Sequence, residues 1–316
     1  MGNVSIGLLN RVLITNLTLD DQQGEELLQV KRLSAKFDLL PLLRGKISIS
    51  NVQLFGFQAN LKRETPESPT NFQFIADAFA SKDSVKKENP LDLRINSLLI
   101  RRGRVSYDVA SLPETPGCFN SNHFSMKDIV ATISLKALSS DSINLQVKRM
   151  SLEEEHSGFT LKKLRLKMVG NDEELKMEHF LVELPRTSLV LDTLQMGYDS
   201  LGAFNRFAHE VRFHFRMLPS QFTLGDLSAF VPSFKGFNDP ISIEVEAEGP
   251  LNQLHCPLLR LNAQEHLVLQ GGLSLQDFST PEDAYLYGRL SRLYADPRGV
   301  DFLIRNLNPH HPEVPP

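Results

Sequence analysis

The chain has no tryptophan among its 316 residues and only two cysteines, Cys118 and Cys256. So distant a pair has no metal-ligand spacing; two free thiols and a single bridge are both open, and the redox compartment is not fixed. No run of about 18 apolar residues occurs, which excludes a membrane-spanning helix, and no secretory leader is visible. Met1-Gly2 resembles a myristoylation start, but Ile6 stands where that motif needs Ser or Thr. The strand-like pattern begins almost at once, as expected of a piece cut from a longer protein. Positive charge is not in excess either. The formal net charge is −4, which does not suggest a nucleic-acid partner.

Catalytic signatures are equally scarce. The segment His209-Glu210-Val211-Arg212-Phe213-His214 resembles a zinc-protease motif, but its histidines are five apart. Read as a strand, that spacing puts them on opposite faces, where they cannot share a metal. His310-His311 lies in the tail and reads as solvated. No nucleophile elbow, phosphate loop or dinucleotide fingerprint occurs. The run Glu153-Glu154-Glu155 reads as a solvated turn. The expectation is a protein that is not an enzyme and takes no cofactor or metal.

What is present is repetition. A six-residue pattern, apolar-x-x-apolar-x-apolar, recurs nine times. Its copies are Ile14–Leu19, Val30–Ala35, Ile49–Leu54, Ile95–Ile100, Met126–Ala131, Val147–Leu152, Leu161–Leu166, Met177–Val182 and Leu191–Met196. A strand with one buried face should show apolar residues at every second position. Here alternation holds, slips by one residue and resumes: Val52 and Leu54 are even, Phe57, Ala59 and Leu61 odd. Keeping one face buried through a slip needs an extra residue, a bulge or a bend. The same bend at one level in many strands predicts a mainly β protein: an elongated, strongly curved antiparallel sheet of repeated strands, greasy inside and polar outside, with a few short helices. Twenty phenylalanines and an apolar fraction of 41% suffice for such a face.

Composition divides the chain into segments. Residues 1–64 read as strands, with a short helical turn over Asp38–Gly45. Residues 65–90 form a linker carrying a short helix, whose Phe72, Ile75, Ala76 and Phe79 share a face and which Asn71 can cap. Residues 91–210 are the regular repeat region, with turns at Arg101–Arg104, Glu153–Gly158 and Gly170–Glu174 and a longer loop over 111–122; 200–210 are open between helix and loop. Residues 211–308 add strands, a helix near 224–231 with Thr223 and Asp226 as a capping pair, two strands around Gly271-Gly272, and a last helix with Val300, Leu303, Ile304 and Leu307 on one face. Residues 309–316 read as a disordered tail. The tight basic cluster Arg101, Arg102 and Arg104 flanks Gly103 and reads as a solvated hairpin turn, with a phosphate or lipid headgroup contact as the alternative.

The segment Leu39–Gly56 (LLPLLRGKISISNVQLFG) resembles the AsmA-like superfamily, in which a strand, a short LLRGK turn and an I-x-I-x-x-V-x-L strand recur near the N-terminus. Asn71–Phe79, Leu93–Asp108 and the stretch from Phe222 to Phe278 are similar to the TamB branch of Bacteroidota. The resemblance covers most of the chain. It implies a U-shaped β-sheet in the periplasm whose greasy channel passes phospholipid or another envelope lipid, and a link to outer-membrane assembly and protein secretion. The partners it implies are a lipid, an outer-membrane β-barrel assembly protein, and the inner membrane through an anchor that these residues do not include. It supplies no catalytic residues. The concave-face candidates are Ile47, Ile49, Phe57, Ile95, Ile133, Leu145, Leu166 and Val182. Two rival readings stand beside this one: a scaffold whose sheet edges pair with outer-membrane strands, and a plain β-sandwich with a closed core.

Overall fold

A computed structural model describes residues 3–7, 10–38, 47–79, 91–92, 96–138, 142–277 and 284–307. The turn expected over Asp38–Gly45 (apart from Asp38), the candidate Ile95 and the tail 309–316 lie outside them. The chain is mainly β. Its strands are β1 (Asn3–Gly7), β2 (Arg11–Asp20), β3 (Glu26–Phe37), β4 (Ile47–Arg63), β5 (Leu91–Asp92), β6 (Ser97–Val109), β7 (His123–Leu138), β8 (Ser142–Glu154), β9 (Thr160–Asn171), β10 (Glu174–Glu183), β11 (Ser188–Gly197), β12 (Arg212–Phe222), β13 (Ile241–Pro250), β14 (Gln253–Ala263), β15 (Leu267–Gln276) and β16 (Tyr285–Ala295). The helices are short: α1 (Gln73–Phe79), α2 (Phe207–Glu210) and α3 (Pro297–Leu307).

Two compact units result. The first comprises residues 1–135 and 147–160, the second 136–146 and 161–316. In the first unit the paired strands follow the order β1-β2-β3-β4-β6-β7. All these pairings are antiparallel except β4 with β6, which is parallel, as is the short β5 beside β4. In the second unit β9 to β16 each pair antiparallel with the next. Neighbouring strands joined by short turns make hairpin after hairpin, and no described pairing closes either path into a barrel.

The slip in alternation is visible as backbone. In the first unit Asn16, Gly56, Arg102 and Asp128 hold left-handed φ values of 53°, 62°, 54° and 49°. The ladders skip Asn16 opposite Lys31, Lys31 opposite Gly56, and Gly56 opposite Arg102, so the bend crosses β2, β3, β4 and β6 at one level. In β7 the register shifts beside Asp128. Asn16, Asp128 and, in the second unit, His179 (φ 54°) occupy the third place of their six-residue pattern. Asn, Asp and His are the side chains that best tolerate that conformation. In β4 and β6 the bend falls after the pattern, at Gly56 and Arg102.

Several local readings need correction. Arg101–Arg104 is not a hairpin turn but the middle of β6. Gly103 is there because a Cβ on it would fall 2.2 Å from the Phe57 ring. Asn71 does not cap α1; it accepts from the Lys62 amide and donates to the Asn60 carbonyl, tying the linker to β4. The helix expected near 224–231 is a 3-10 turn over Leu224–Leu227. Thr223 donates to the Arg186 carbonyl and Asp226 accepts from the Arg186 amide, so both side chains that looked like caps hold the neighbouring β10–β11 turn. The Gly271-Gly272 pair does not separate two strands: β15 runs through it, and its ladders with β14 and β16 shift register there. Residues 201–206 form a 3-10 turn leading into α2. Both cysteines are free thiols.

Candidate functional site: an apolar sheet face

Cross-strand partners in a sheet share a face, so the register sorts the side chains. In the first unit Val12, Ala35, Val52, Leu98 and Ile133 form one row across five strands. Ile14, Leu33, Leu54, Ile100 and Ala131 form the next. Beyond the bend the parity changes in every strand together. Leu17 then partners Val30 and Val30 partners Phe57, followed by the row Leu19, Leu28, Ala59, Val105 and Met126. The alternate rows are polar for the most part, for example Thr18, Gln29, Gln58 and Arg104.

The second unit repeats this logic. One row runs Phe180, Leu191, Met217, Val245, Leu259, Gly271 and Leu290; another runs Ile243, Leu261, Leu269 and Leu293. The row Lys167, Glu178, Thr193, Arg216 and Glu246, next to the first of these, is polar. Ion pairs stitch the polar side: Lys163 to Glu183 at 3.0 Å, Lys167 to Glu178 at 2.9 Å and Arg260 to Glu244 at 2.7 Å. Lys167 and Lys176 hold the Glu178 carboxyl below its ordinary range.

Burial gathers at the two strand ends of this second face. At one end Tyr198, Ala203 and Val211 cover Met196, with Leu175, Met177 and Phe213 packed against them. Phe207 meets Phe213 edge-on, with ring centroids 5.1 Å apart. At the other end Leu224 and Phe302, from the 3-10 turn and α3, pack on Ile241, Ala263 and Leu267. Between the ends Phe215, Met217, Ile243, Val245, Leu259 and Leu269 are only half-buried, although their row neighbours Leu191 and Ala247 are buried. A second layer on this face would bring such central positions close to full burial. On β16 the apolar rows end in the open, with Leu286 61% and Leu293 64% exposed.

The sequence-derived candidates divide accordingly. Phe57 and Ile133 lie in apolar rows of the first unit, and Val182, paired with Leu164 and Leu189, in one of the second. Leu166 is buried in β9, between Arg165 and Lys167 whose partners lie across the bulge in β10. Ile49 partners Phe37 beyond a register shift, and Leu145 is half-buried in β8. Ile47 belongs to β4, where it partners Leu91.

Alternation alone hid some residues. Glu154, read as part of a solvated turn, has a fully buried side chain. It accepts from the Ser125 amide at 3.0 Å, from the Ser157 amide at 2.6 Å and from the Ser157 hydroxyl at 2.5 Å. Burial pushes its pKa up, but these donors outweigh burial and leave it below the ordinary range. His209 sits in α2 rather than in a strand, its Nδ1 at 2.9 Å from the Asn252 amide nitrogen; His214 lies on the polar side of β12. Among the described residues no group of three or more His, Cys, Asp or Glu could hold a metal, and no helix is long and apolar enough to cross a membrane. Comparison with models of known protein families, with curated proteins and with solved structures finds no match.

Proposed function

We propose that the apolar faces of this chain are lipid-bearing surfaces, part of a hydrophobic groove in an AsmA-like, TamB-type protein of the cell envelope. The groove carries phospholipid or another envelope lipid across the periplasm and so supports outer-membrane assembly and protein secretion. In this reading the chain is not an enzyme, and the longer protein is anchored in the inner membrane. One observation in each unit carries it: in the first, rows of apolar side chains change parity together at a bend, and in the second, most central apolar side chains stay half-buried between covered ends. Moving lipid chains through water costs about 0.8 kcal/mol per methylene. A two-chain lipid therefore faces roughly 20 kcal/mol or more on free desorption, and an unbroken greasy path lowers that barrier. No specific pocket is needed.

The first test is mass spectrometry of lipids retained by protein purified under native conditions. Photo-crosslinkers at Phe57, Ile133 and Val182 should capture lipid, while those at Lys36, Lys148 and Lys163 should not; equal labelling of both sets sinks the assignment. A double substitution, Met217→Asp with Val245→Asp, places two charges on adjacent strands in the open middle of the second face. The protein should stay folded, because each charge reaches water, and should lose retained lipid. Unfolding instead would point to a closed core, where a buried charge costs several kcal/mol.

A scaffold role has one observation in its favour. Every residue of β16 is exposed, and its described partner lies on one side only. Such an edge can accept an added strand. A peptide that blocks the β16 edge while leaving lipid retention intact, yet abolishes assembly, would select this reading.

A further inference from the structure

The polar side of the first unit holds a cavity of ≈ 560 Å³ that the lipid reading does not use. Arg11, Arg32 and Arg101 line it together with Ser34, Gln53 and Phe55. The register explains the gathering. Leu13, Ser34, Gln53 and Leu99 are successive partners in one row, and Arg32 and Arg101 flank Phe55 in the next. The Arg32 guanidinium lies 5.2 Å from the centre of the Phe55 ring, and that of Arg102, just outside the cavity, lies 5.4 Å from it.

Two independent features mark this place as unfinished. First, among the described residues no acidic side chain lines the cavity, and no ion pair described for the unit includes its three arginines. Elsewhere in the unit Lys62, Arg104 and Lys127 each have a carboxylate. Guanidinium groups converging without a counter-charge repel one another, and their planar forks fit oxyanions. Second, Ser34 is only 7% exposed, and its hydroxyl has no hydrogen-bond partner. A buried hydroxyl normally finds one.

We infer that this cavity binds an oxyanion of the phosphate or phosphate-ester class, carried on an apolar body that lies against Leu13, Phe55 and Leu99. The arginines supply charge and paired N–H donors, Gln53 a further donor, and the ligand an acceptor for Ser34. The apolar lining distinguishes this arrangement from a site for a bare ion. Apart from Leu54, which belongs to an apolar row, the lining residues lie in the rows of the opposite face, so the site stands or falls separately from the groove.

Calorimetric titration of the full chain at low salt tests it, with octyl phosphate, inorganic phosphate and octyl glucoside as probes. Octyl phosphate should bind, and octyl glucoside should not. The double variant Arg32→Gln with Arg101→Gln should weaken octyl phosphate by about tenfold or more. Both arginines are exposed, so the variant should fold, which an unchanged unfolding midpoint would verify. Ser34→Ala should weaken binding by a smaller factor. Lipid capture at Phe57 should be the same in all variants. If inorganic phosphate binds as tightly as octyl phosphate, the ligand is a free oxyanion and the apolar body is wrong. Failure of octyl phosphate to bind, or equal binding by the double variant, overturns the site.

Discussion

The two units reach the same alternation of greasy and polar faces by different backbone routes. In the first, left-handed residues sit opposite one another or opposite a skipped position, so the β2–β3, β3–β4 and β4–β6 ladders keep one register through the bend. In the second, six of the seven ladders shift register near their middle, and only β10–β11 passes the bend in register. A parity change can thus be absorbed by conformation, with every strand turning together, or by count, with one strand contributing an extra residue. The first route demands residues that tolerate positive φ; the second demands close backbone approach where the extra residue is accommodated.

The sharpest way to break this comparison uses its glycines. A Cβ on Gly271 would lie 2.3 Å from the Arg289 carbonyl oxygen, part of the β16 backbone. On Gly103 it would meet the Phe57 ring, a side chain that can turn aside. Gly271→Ala should therefore cost about 3 kcal/mol and Gly103→Ala about 1 kcal/mol. Urea unfolding would measure both. Labelling of Cys256, buried in β14 and paired with Leu273 of β15, would report whether β15 and β16 have come away. Equal costs would mean that the two routes do not differ in this way.

A smaller effect concerns acid. Because the Glu154 pKa is depressed in the folded protein, its contribution is complete above the ordinary glutamate range and is lost as pH falls from that range through the lower folded-state value. Glu154→Gln should flatten the acid side of the first unit's stability profile and cost about 1–3 kcal/mol at neutral pH, since the amide cannot satisfy the Ser125, His156 and Ser157 donors as well. A pH series of unfolding midpoints for the two proteins checks this. Parallel curves would show that Glu154 does not anchor the turn.

The smallest effects sharpen the comparison most directly. Asn16→Gly and Asp128→Gly should be neutral or stabilising by up to about 1 kcal/mol, because glycine relieves a left-handed backbone. Asp192→Gly, at the register shift of β11 where φ is not positive, should destabilise by about 0.5–1 kcal/mol. Because Asp128 combines a left-handed backbone with a register shift, the same sign at Asn16 and Asp192 is what would erase the distinction between bending and counting.

The parity slips were legible in the sequence because a strand's period of two leaves no freedom: Val52, Leu54, Phe57 and Ala59 can share a face only through a bend. The level of the bend was less so, since Gly56 and Arg102 take it in place of the polar pairs of their own copies. Arg101–Arg104 resembled a turn because basic residues around glycine usually are one; here the glycine makes room for a ring from the next strand. Thr223 and Asp226 looked like caps since a local pattern cannot reveal that Arg186, far away in sequence, will compete for them. Glu154 was hidden in part for the same reason, since one of its donors is the amide of Ser125, far away in sequence. The Arg101 cavity needed β2, β3, β4 and β6 side by side before its charges could be seen to gather.

That side-by-side order has one step unlike the others. Every other described step along the two strand paths is antiparallel, but β4 and β6 run parallel, so the chain must pass from the end of β4 back to its start through residues 64–96 before they can pair. Closing such a loop costs about 2 kcal/mol more in chain entropy than closing a hairpin of a few residues, and beyond the Asn71 contacts with β4 no strand pairing is gained until the far ends meet. The β1–β4 meander can therefore zip up early from local contacts, while the β4–β6 seam sets the pace at which the rest of the first unit joins it. Shortening the crossover should speed folding and leave the unfolding rate nearly unchanged.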